Sequence, residues 1–504
     1  MGDRSVTNPT AETDAKALTR RALDSVGELK SHVTSLESEI HAMIEELLRY
    51  QSIDIDEIKK FLREPWCIVP KGRDEYWVIV PRWVGLSVGW LERTTETYNV
   101  FSINRYSHWF GAVPDELREK LKTPEPFEAT VEDGKLKTSA VIAEKFKDHL
   151  WGQLAEGEYR IRKGHEFDII ASIVEAGALP FKPRPVHPED LRDPTLSGVL
   201  SELRPYQIEA WERFKQYGAI GVYLPWGTGK TVIGMYLIAR LKGRKLVVCP
   251  TNTLVEQWQK RLRQWLTPDL SFDVEVVTYH AWEKVKDRDW SLVIYEESHR
   301  LPSNQFSRLA SLRTKYRIGL SATPHREDGR EHYIIALTGY PVGMDWSQFV
   351  RSGLVRPPKV QVQIVDGWRE KVRAAEAELR DVDGATIIFC DSIQKGKQLA
   401  SRFSCPHVWG DTKNRIDTLE SAAVAVVSRV GDEGVSLPKL RKIIEIDFHG
   451  ASRRQEGQRV GRLLHADGVG SHLVLMTREE FDKFEGRFLA LEEKGFKIQV
   501  KEER

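Results

Sequence analysis

The chain has 504 residues, which is too long for one hydrophobic core and indicates two to four domains. Hydrophobic residues make up 41% and charged residues 30%, and no apolar run approaches the ~18 residues of a membrane span, so no membrane association is expected. The polar N-terminus lacks the apolar segment of a signal peptide, and a cytoplasmic location is therefore expected. The net charge of +1 neither requires nor excludes nucleic acid, because binding depends on a local basic surface. Four scattered cysteines without a C-x-x-C pair indicate neither a disulfide framework nor a zinc site.

A heptad pattern occupies the N-terminal part of the chain. Its apolar positions follow alternating steps of four and three and are Ala22, Val26, Leu29, Val33, Leu36, Ile40, Met43 and Leu47. Valine and isoleucine on one line, with leucine and methionine on the other, favour a two-stranded parallel coiled coil. The alternative is a long helix packed on its own chain. The pattern predicts a helical coiled-coil segment over residues 1–60 and, if the seam pairs, a homodimer through residues 22–47.

Residues 61–195 are predicted to form an accessory α+β domain and a linker. Residues 66–110 are rich in β-branched and aromatic residues between turn residues, which predicts a small sheet, whereas the charged residues 113–150 predict helices. The proline-dense stretch 177–194 predicts a connector without regular structure. The aromatic residues are typical of a core or a protein contact, with stacking on bases as the alternative. We therefore hypothesise a protein partner for residues 1–195.

After the connector, short apolar strands alternate with amphipathic helices. The strands form two sets, separated by a break near residues 340–385. Such alternation predicts parallel sheets covered by helices, with ligands bound beyond the carboxyl ends of the strands. The predicted fold class is α/β, with two tandem parallel-sheet lobes over residues 196–345 and 346–504. The helical coiled-coil segment and the small α+β accessory domain precede these lobes.

A glycine-rich loop, PWGTGKT, lies between the strand-like segment GVYL and an apolar helix. Gly227, Thr228 and Gly229 supply a backbone that can curl its amides around phosphate oxygens. The Lys230 ammonium would neutralise the outer phosphates and the Thr231 hydroxyl would reach Mg²⁺, at a helix N-terminus that adds a positive dipole. The loop therefore predicts a nucleotide site.

Two adjacent acids, Glu296 and Glu297, follow the apolar segment LVIY. Because parallel strands end at one edge of a sheet, these acids are predicted to face the glycine-rich loop. There one acid can hold Mg²⁺ and the next can polarise a water for in-line attack on a γ-phosphate. Two solvated surface acids are the alternative, which the buried-strand character of LVIY disfavours. A small-molecule kinase would account for the loop and the acids but leaves the second lobe unexplained.

Seven segments occur in an order that resembles superfamily 2 helicases, most closely the XPB-type branch, over residues 203–500. They are LRPYQ (203–207), PWGTGKT (225–231), CPTNTLVEQW (249–258), EESH (296–299), LSATPHRED (320–328), VVSRVGDEGVSLP (426–438) and SRRQEGQRVGRLLH (452–465). The resemblance implies two RecA-like lobes that use ATP and Mg²⁺ to move on or unwind DNA. The RED of the fifth segment favours duplex, forked or branched DNA, and an RNA helicase is the alternative because it shares nearly every motif.

The resemblance also implies a role for individual residues of the first lobe. Gln207 would read the adenine edge, and Arg204 would shape that pocket. Glu296 would take the Mg²⁺ position and Glu297 would activate the water. The residues expected to couple the nucleotide site to DNA are His299, Ser321 and Thr323. The residues expected to face the nucleic acid are Thr251, Thr278, Arg326 and Ser428.

The second lobe would complete the nucleotide site when the lobes close. The resemblance implies that Gln458 faces the γ-phosphate and that Arg462 acts as the arginine finger, with Arg459 counted among the catalytic residues. Three positions depart from the family pattern. They are Glu296 in place of aspartate, Ser436 in place of an acid and His465 in place of a second arginine finger. These departures support an alternative function, a catalytically attenuated, nucleotide-switched DNA-binding or architectural protein.

Overall fold

The structure is a computed structural model. It describes residues 34–35, 37–40, 42, 66–72, 75–82, 88–95, 97–110, 113, 115–123, 127–192, 202–225, 227–268, 273–303, 306–322, 331–343, 349, 356–380, 384–428, 437, 439–447, 453–465, 470–492 and 496–502. The chain divides into two compact units, one made of residues 1–87 and 94–101 and the other of residues 88–93 and 102–504. The heptad positions of the N-terminal seam, apart from Ile40, lie outside the described residues. The coiled coil and the homodimer therefore stay predictions.

Residues 66–110 contain strands, in agreement with their β-branched and aromatic composition. The strands are β1 (Cys67–Gly72), β2 (Glu75–Pro81), β3 (Trp90–Thr94) and β4 (Tyr98–Asn104). Within the first compact unit, β1 pairs with β2 in antiparallel fashion. Val69, Ile79 and Val100 form a small core there, and Trp77 and Tyr98 pack against it. These aromatic residues thus contribute to the packing of their own unit.

The charged stretch 113–150 forms two strands where helices were predicted. The elements of this part of the chain are α1 (Asp115–Lys120), β5 (Ala129–Glu132), β6 (Lys135–Thr138), α2 (Ala140–Glu144), β7 (Leu150–Ala155), β8 (Glu158–Ile161) and α3 (Glu166–Glu175). The four strands form an antiparallel sheet in the order β5-β6-β8-β7. The helical prediction was wrong over 129–138 because buried residues alternate there with more exposed ones, which is the period of a strand.

This antiparallel sheet and α3 share a hydrophobic core with the lobe that follows. Ile169 and Ile173 of α3 belong to the same buried cluster as Val293 and Leu309. In the described part of the connector, residues 177–192, a single 3-10 turn over Pro188–Asp190 is the only helix or strand, in agreement with its proline content.

Lobe 1 is a six-stranded sheet covered by helices. Its strands are β9 (Ala219–Tyr223), β10 (Lys245–Cys249), β11 (Val274–Thr278), β12 (Trp290–Glu296), β13 (Thr314–Ser321) and β14 (Tyr340–Gly343). Its helices are α4 (Pro205–Tyr217), α5 (Lys230–Arg240), α6 (Asn252–Trp265), α7 (Trp282–Val285) and α8 (Glu331–Thr338), with 3-10 turns at Ser298–Arg300 and Ser307–Ser311. The strand order is β11-β10-β12-β13-β9-β14 and every pairing is parallel.

Lobe 2 is a seven-stranded sheet of the same kind. Its strands are β15 (Lys359–Ile364), β16 (Ala385–Cys390), β17 (His407–Val408), β18 (Val424–Val427), β19 (Leu440–Asp447), β20 (Ser471–Met476) and β21 (Ile498–Glu502). Its helices are α9 (Trp368–Glu378), α10 (Ile393–Arg402), α11 (Arg415–Ser421), α12 (Arg453–Gly461), α13 (Arg478–Phe484) and α14 (Gly486–Glu492), with a 3-10 turn at Arg462–His465. The order is β17-β18-β16-β19-β20-β15-β21, again all parallel.

The two parallel sheets confirm the α/β class with two tandem RecA-like lobes. Parallel strands need crossover connections, and α-helices supply most of those described between successive strands of both lobes. Among the described helices, none combines the length and the apolar character that crossing a bilayer requires.

Gly218 joins α4 to β9, the strand that precedes the glycine-rich loop, and it is a point where a side chain cannot be accommodated. Its φ is 62°, and an added Cβ would overlap the Arg184 carbonyl oxygen and the Tyr316 ring. Gly218→Ala is expected to lower the free energy of unfolding by the ~1 kcal/mol of a left-handed alanine plus ~1–3 kcal/mol of overlap. Urea denaturation would measure this. The control is Gly134→Ala, which has a φ of 64° but no atom within 4 Å of the added Cβ, so that only the backbone cost should appear.

Candidate nucleotide site

Three neighbouring strands of lobe 1 bring the sequence candidates to one edge of the sheet. In the order β12-β13-β9, Glu296 pairs with Leu320, and Ser321 pairs with Tyr223. The glycine-rich loop after β9, the serine at the end of β13 and the acids after β12 therefore leave the sheet at the same carboxyl edge. This edge is where parallel sheets bind ligands.

The glycine-rich loop adopts a left-handed backbone at both of its glycines. Gly227 has a φ of 81° and Gly229 a φ of 85°, and α5 begins directly afterwards at Lys230. The Lys230 ammonium donates to the carbonyl oxygens of Leu224 at 2.8 Å and Pro225 at 3.1 Å. Burial lowers the pKa of Lys230, and the charges of the two acids after β12 act in the opposite direction. The ammonium thus lies folded back on its own loop, with both acids within electrostatic reach.

Side chains at the start of α4 tie that helix to the glycine-rich loop. The amide of Gln207 accepts from the Arg204 backbone N–H at 2.9 Å and donates to the Gly229 carbonyl at 3.2 Å. The Tyr206 hydroxyl donates to the Thr228 carbonyl at 2.6 Å. Gln207 is buried, so these bonds satisfy an amide that water does not reach. Gln207, the residue expected to read adenine, therefore contacts the glycine-rich loop.

Glu296 is the buried acid of the pair, with 7% of its surface exposed. Its Oε2 accepts from the indole N–H of Trp258 at 3.0 Å. The pKa of Glu296 is raised to about 7, mainly by burial and also by the charge of the neighbouring Glu297, while Lys230 and Arg261 act in the opposite direction. The longer side chain that departs from the family pattern is thus in contact with an indole donor of α6.

Arg261 of α6 contacts Thr231 and interacts electrostatically with Glu296, the two residues expected to bind the metal. Its Nη1 donates to the Thr231 hydroxyl at 3.1 Å. Burial lowers the pKa of Arg261, and the charge of Glu296 is the strongest effect in the opposite direction. Sequence reasoning missed this residue, although its place three positions after Trp258 puts both on one face of α6.

The donor set of this corner fits a magnesium ion. A hydroxyl from Thr231 and a carboxylate from Glu296 are the oxygen ligands that Mg²⁺ prefers, with water and phosphate oxygens completing the shell. The Arg261 guanidinium supports this fit, because it is hydrogen-bonded to the same hydroxyl and its charge is favoured by the same acid.

The second acid is linked to the sheet edge through a histidine. Glu297 adopts a left-handed backbone with φ 51° and ψ 50°. His299 Nδ1 lies 3.2 Å from the Glu297 carboxylate and 2.9 Å from the Ser321 hydroxyl. A non-glycine residue in this conformation is strained, and such strain is typical of functional positions. His299 therefore joins the acid to the end of β13, while Thr323 lies outside the described residues.

The described residues expected to face DNA lie at the carboxyl edges of the sheets. Thr251 caps α6 by accepting from the Leu254 backbone N–H at 3.4 Å, and Thr278 ends β11 opposite Cys249 of the neighbouring strand. Ser428 follows β18 in lobe 2 and is buried. The structure thus places the two threonines on one edge of lobe 1. Arg326 lies outside the described residues.

The lobe 2 candidates lie on or just after α12. Arg462 begins the 3-10 turn after this helix, and 6% of its surface is exposed. Arg459 is fully buried and donates to Glu445 at 2.7 Å and to Asp391 at 3.1 Å. These contacts hold Arg459 inside lobe 2, and its catalytic role stays a prediction. The side chains of Gln458 and His465, and all of Ser436, lie outside the described residues.

Arg459 belongs to a buried ionic network that fixes α12 against the rest of lobe 2. Arg487 of α14 donates to Glu445 at 2.6 Å and also contacts Glu456 of α12, and His472 lies 3.0 Å from Glu445. Burial opposes the ionisation of Glu445, yet Arg459 and Arg487 hold its pKa well below the usual range. Two guanidiniums already neutralise this carboxylate cluster, which therefore positions the helix that precedes Arg462.

Comparison with known proteins adds to this geometry. Residues 376–492 match the model of the ERCC3/RAD25/XPB C-terminal helicase, and residues 200–284 match that of the type III restriction enzyme res subunit. The resemblance to XPB-type helicases is confirmed. A putative DNA 3'-5' helicase Rad25 of Halobacterium salinarum is 32% identical over 354 residues, which cover 59% of this chain and 58% of the relative.

Two further XPB-like relatives have similar coverage. A putative DNA 3'-5' helicase Rad25 of Haloarcula marismortui is 28% identical, over 70% of this chain and 64% of the relative. The general transcription and DNA repair factor IIH helicase/translocase subunit XPB of Drosophila melanogaster is 26% identical, over 52% of this chain and 42% of the relative. The chain thus spans less than two thirds of the length of each of these relatives.

The buried network of lobe 2 can be tested through its stability. Arg487→Met leaves two buried carboxylates without one of their cations and is expected to lower the free energy of unfolding by ~3–5 kcal/mol. Urea denaturation of the full chain, followed by tryptophan fluorescence, would measure the change. The control is Arg478→Met, which removes an exposed arginine paired with Glu502 and should leave the free energy of unfolding nearly unchanged, because water screens an exposed ion pair. Equal effects of the two substitutions would contradict the proposed role of the network.

Proposed function

We propose that this protein is an ATP-dependent DNA helicase or translocase. The observation that carries the proposal is the convergence of a lysine, a hydroxyl and two acids at one edge of lobe 1, linked through His299 to Ser321. These are the parts that phosphoryl transfer to water requires, since the chemistry depends on positioning and charge stabilisation. The XPB-type relatives, which are named as DNA helicases or translocases, support the same activity.

In this proposal the residues of lobe 1 divide the work. Lys230 turns from its own loop carbonyls to the outer phosphates, Thr231 and Glu296 hold Mg²⁺, and Glu297 orients the attacking water. The bound metal supplies charge neutralisation at the phosphates. His299 couples Glu297 to Ser321, because its ring nitrogen lies near both the carboxylate and the hydroxyl.

Lobe 2 completes the site by moving against lobe 1. Lys260 of α6 is 2.6 Å from Glu420 of α11, and Arg415 at the start of α11 donates to Thr253 of α6 at 3.3 Å. Lys260, Arg415 and Glu420 are exposed or half-buried, so these contacts between the lobes can break and re-form at a small cost in free energy. Closure about this contact would bring Arg462 to the γ-phosphate, and repeated closure would advance the protein along its track.

The track in this proposal is duplex, forked or branched DNA, gripped through its phosphates. Thr251 and Thr278 occupy one edge of lobe 1, and hydroxyls and backbone amides bind phosphate oxygens without reading sequence. The proposal also retains a protein partner for residues 1–195 and dimerisation through residues 22–47. Sedimentation of the full chain and of a chain lacking residues 1–60 would test the dimer, and identical monomeric masses would refute it.

The motor activity is tested by ATP hydrolysis with duplex, forked and single-stranded DNA and with RNA. We expect DNA to stimulate turnover, Lys230→Ala to abolish it, and Glu297→Gln to lower it at least ~10²-fold because water activation is lost. Lys242→Ala, which changes an exposed lysine of the same lobe, serves as the control. Stimulation by RNA alone would favour an RNA helicase. Equal, feeble turnover in every variant would favour the attenuated architectural protein.

The coupling through His299 is tested by comparing the rate of movement on DNA with the rate of ATP hydrolysis. His299→Ala is expected to lower translocation or strand displacement per ATP at least ~5-fold, because a coupling free energy of about 1 kcal/mol or more is lost. The rates of ATP hydrolysis and of movement on the same DNA give this ratio. The control is His280→Ala, a substitution at an exposed position of lobe 1. A His299→Ala protein that slows in both rates by the same factor would show that the histidine serves hydrolysis alone.

A further inference from the structure

Helix α6 carries a cation into the corner where the nucleotide's metal is expected. Arg261 Nη1 donates to the Thr231 hydroxyl at 3.1 Å, and the guanidinium also interacts electrostatically with Glu296. The same face of α6 also contacts Glu296, because Trp258, one turn earlier, donates its indole N–H to that carboxylate at 3.0 Å. We propose that Arg261 is a place-holding cation, which occupies the metal ligand Thr231 beside Glu296 until a metal ion binds.

The charge balance of this corner explains why a place-holder is needed. Glu296 is buried beside a second acid, and an unpaired buried carboxylate costs several kcal/mol. Lys230 offsets only part of this charge because its ammonium is hydrogen-bonded to the carbonyls of Leu224 and Pro225. Arg261 supplies a second positive charge without any bound ligand. A metal ion at Thr231 and Glu296 would make that charge redundant, so the guanidinium and the ion would compete for the Thr231 hydroxyl oxygen.

The length of the Glu296 side chain determines whether it contacts α6. Trp258 lies on α6, and its indole nitrogen is 3.0 Å from the Glu296 Oε2. An aspartate would end about 1.5 Å short of that donor, because it lacks one methylene. The glutamate thus reaches the helix that carries Arg261, and this departure from the family pattern and the place-holding arginine belong to one arrangement.

Lobe 2 carries an acid whose charge acts on Arg261. This acid is Glu420 of α11, which opposes the effect of burial on the pKa of Arg261. The preceding residue, Lys260, already contacts Glu420 at 2.6 Å. Release of Arg261 from Thr231 would therefore move it from a metal ligand of lobe 1 towards an acid of lobe 2. In this way metal binding and the contact between the lobes act on the same helix.

This inference rests on the proposed nucleotide site and deepens it. The test is the binding of mant-ADP, a fluorescent nucleotide, to the full chain at increasing Mg²⁺ concentrations. Arg261→Ala is expected to lower the Mg²⁺ concentration for half-maximal binding about tenfold, since a charge-assisted hydrogen bond no longer competes for the ligands. Arg261→Gln should show the same shift with a side chain of similar length. The control is Arg263→Ala, which removes an exposed arginine of the same helix and should leave the Mg²⁺ dependence unchanged.

Glu420→Gln tests the effect of the lobe 2 acid on Arg261. Removing its charge is expected to raise the Mg²⁺ requirement at least about twofold, because Arg261 then stays with Thr231 more of the time. Its control is Asp417→Asn, since Asp417 also contacts Lys260, at 3.6 Å, and likewise lies on α11. Identical Mg²⁺ dependence in wild type, Arg261→Ala and Arg261→Gln would overturn the inference and leave the proposed function standing. A wild-type protein that binds no mant-ADP at any Mg²⁺ concentration would overturn the proposed function itself.

Discussion

The buried carboxylate of Glu296 imposes the main electrostatic requirement on lobe 1. A charged oxygen at the end of a central strand must be met by donors and cations, because water is excluded there. The chain meets this requirement with the indole of Trp258 and the charges of Lys230 and Arg261. These groups come from two helices, α5 and α6, and the position of the glycine-rich loop relative to α6 is therefore tied to one acid.

Helix α6 connects this corner to the other parts of the molecule. Its N-cap, Thr251, lies at the edge expected to meet DNA, Arg261 lies at the nucleotide site, and Lys260 contacts lobe 2. A helix is a rigid element, so a displacement imposed on one of these groups moves the others. In the proposed motor, the nucleotide, the nucleic acid and the contact between the lobes would thus act on one helix, which gives a physical route for coupling.

Lobe 2 also buries a carboxylate, and its charge is compensated inside the core of the lobe. Glu445 lies between Arg459 and Arg487, and the network also holds Glu456 of α12. A sequence motif does not distinguish the polar residues that reach a ligand from those that turn into the core, and the motif therefore predicts a catalytic role for Arg459 as well. Its partners show that it fixes the helix ahead of Arg462. The position of Arg462, the predicted arginine finger, depends on the side chains that fix the preceding helix.

The sequence by itself determined most strands of both sheets, the glycine-rich loop and the acids after β12, because apolar runs, glycines and the ends of parallel strands are local signals. It did not determine β14 and β15, which lie within the predicted break near residues 340–385, nor β17, β21, β5 and β6, whose short, mixed or alternating segments resemble loop or helix. Only the tertiary structure decided that Arg261 meets Thr231 and that Arg459 turns inward. Those contacts depend on which distant segments share a buried volume, and burial sets the cost of each charge.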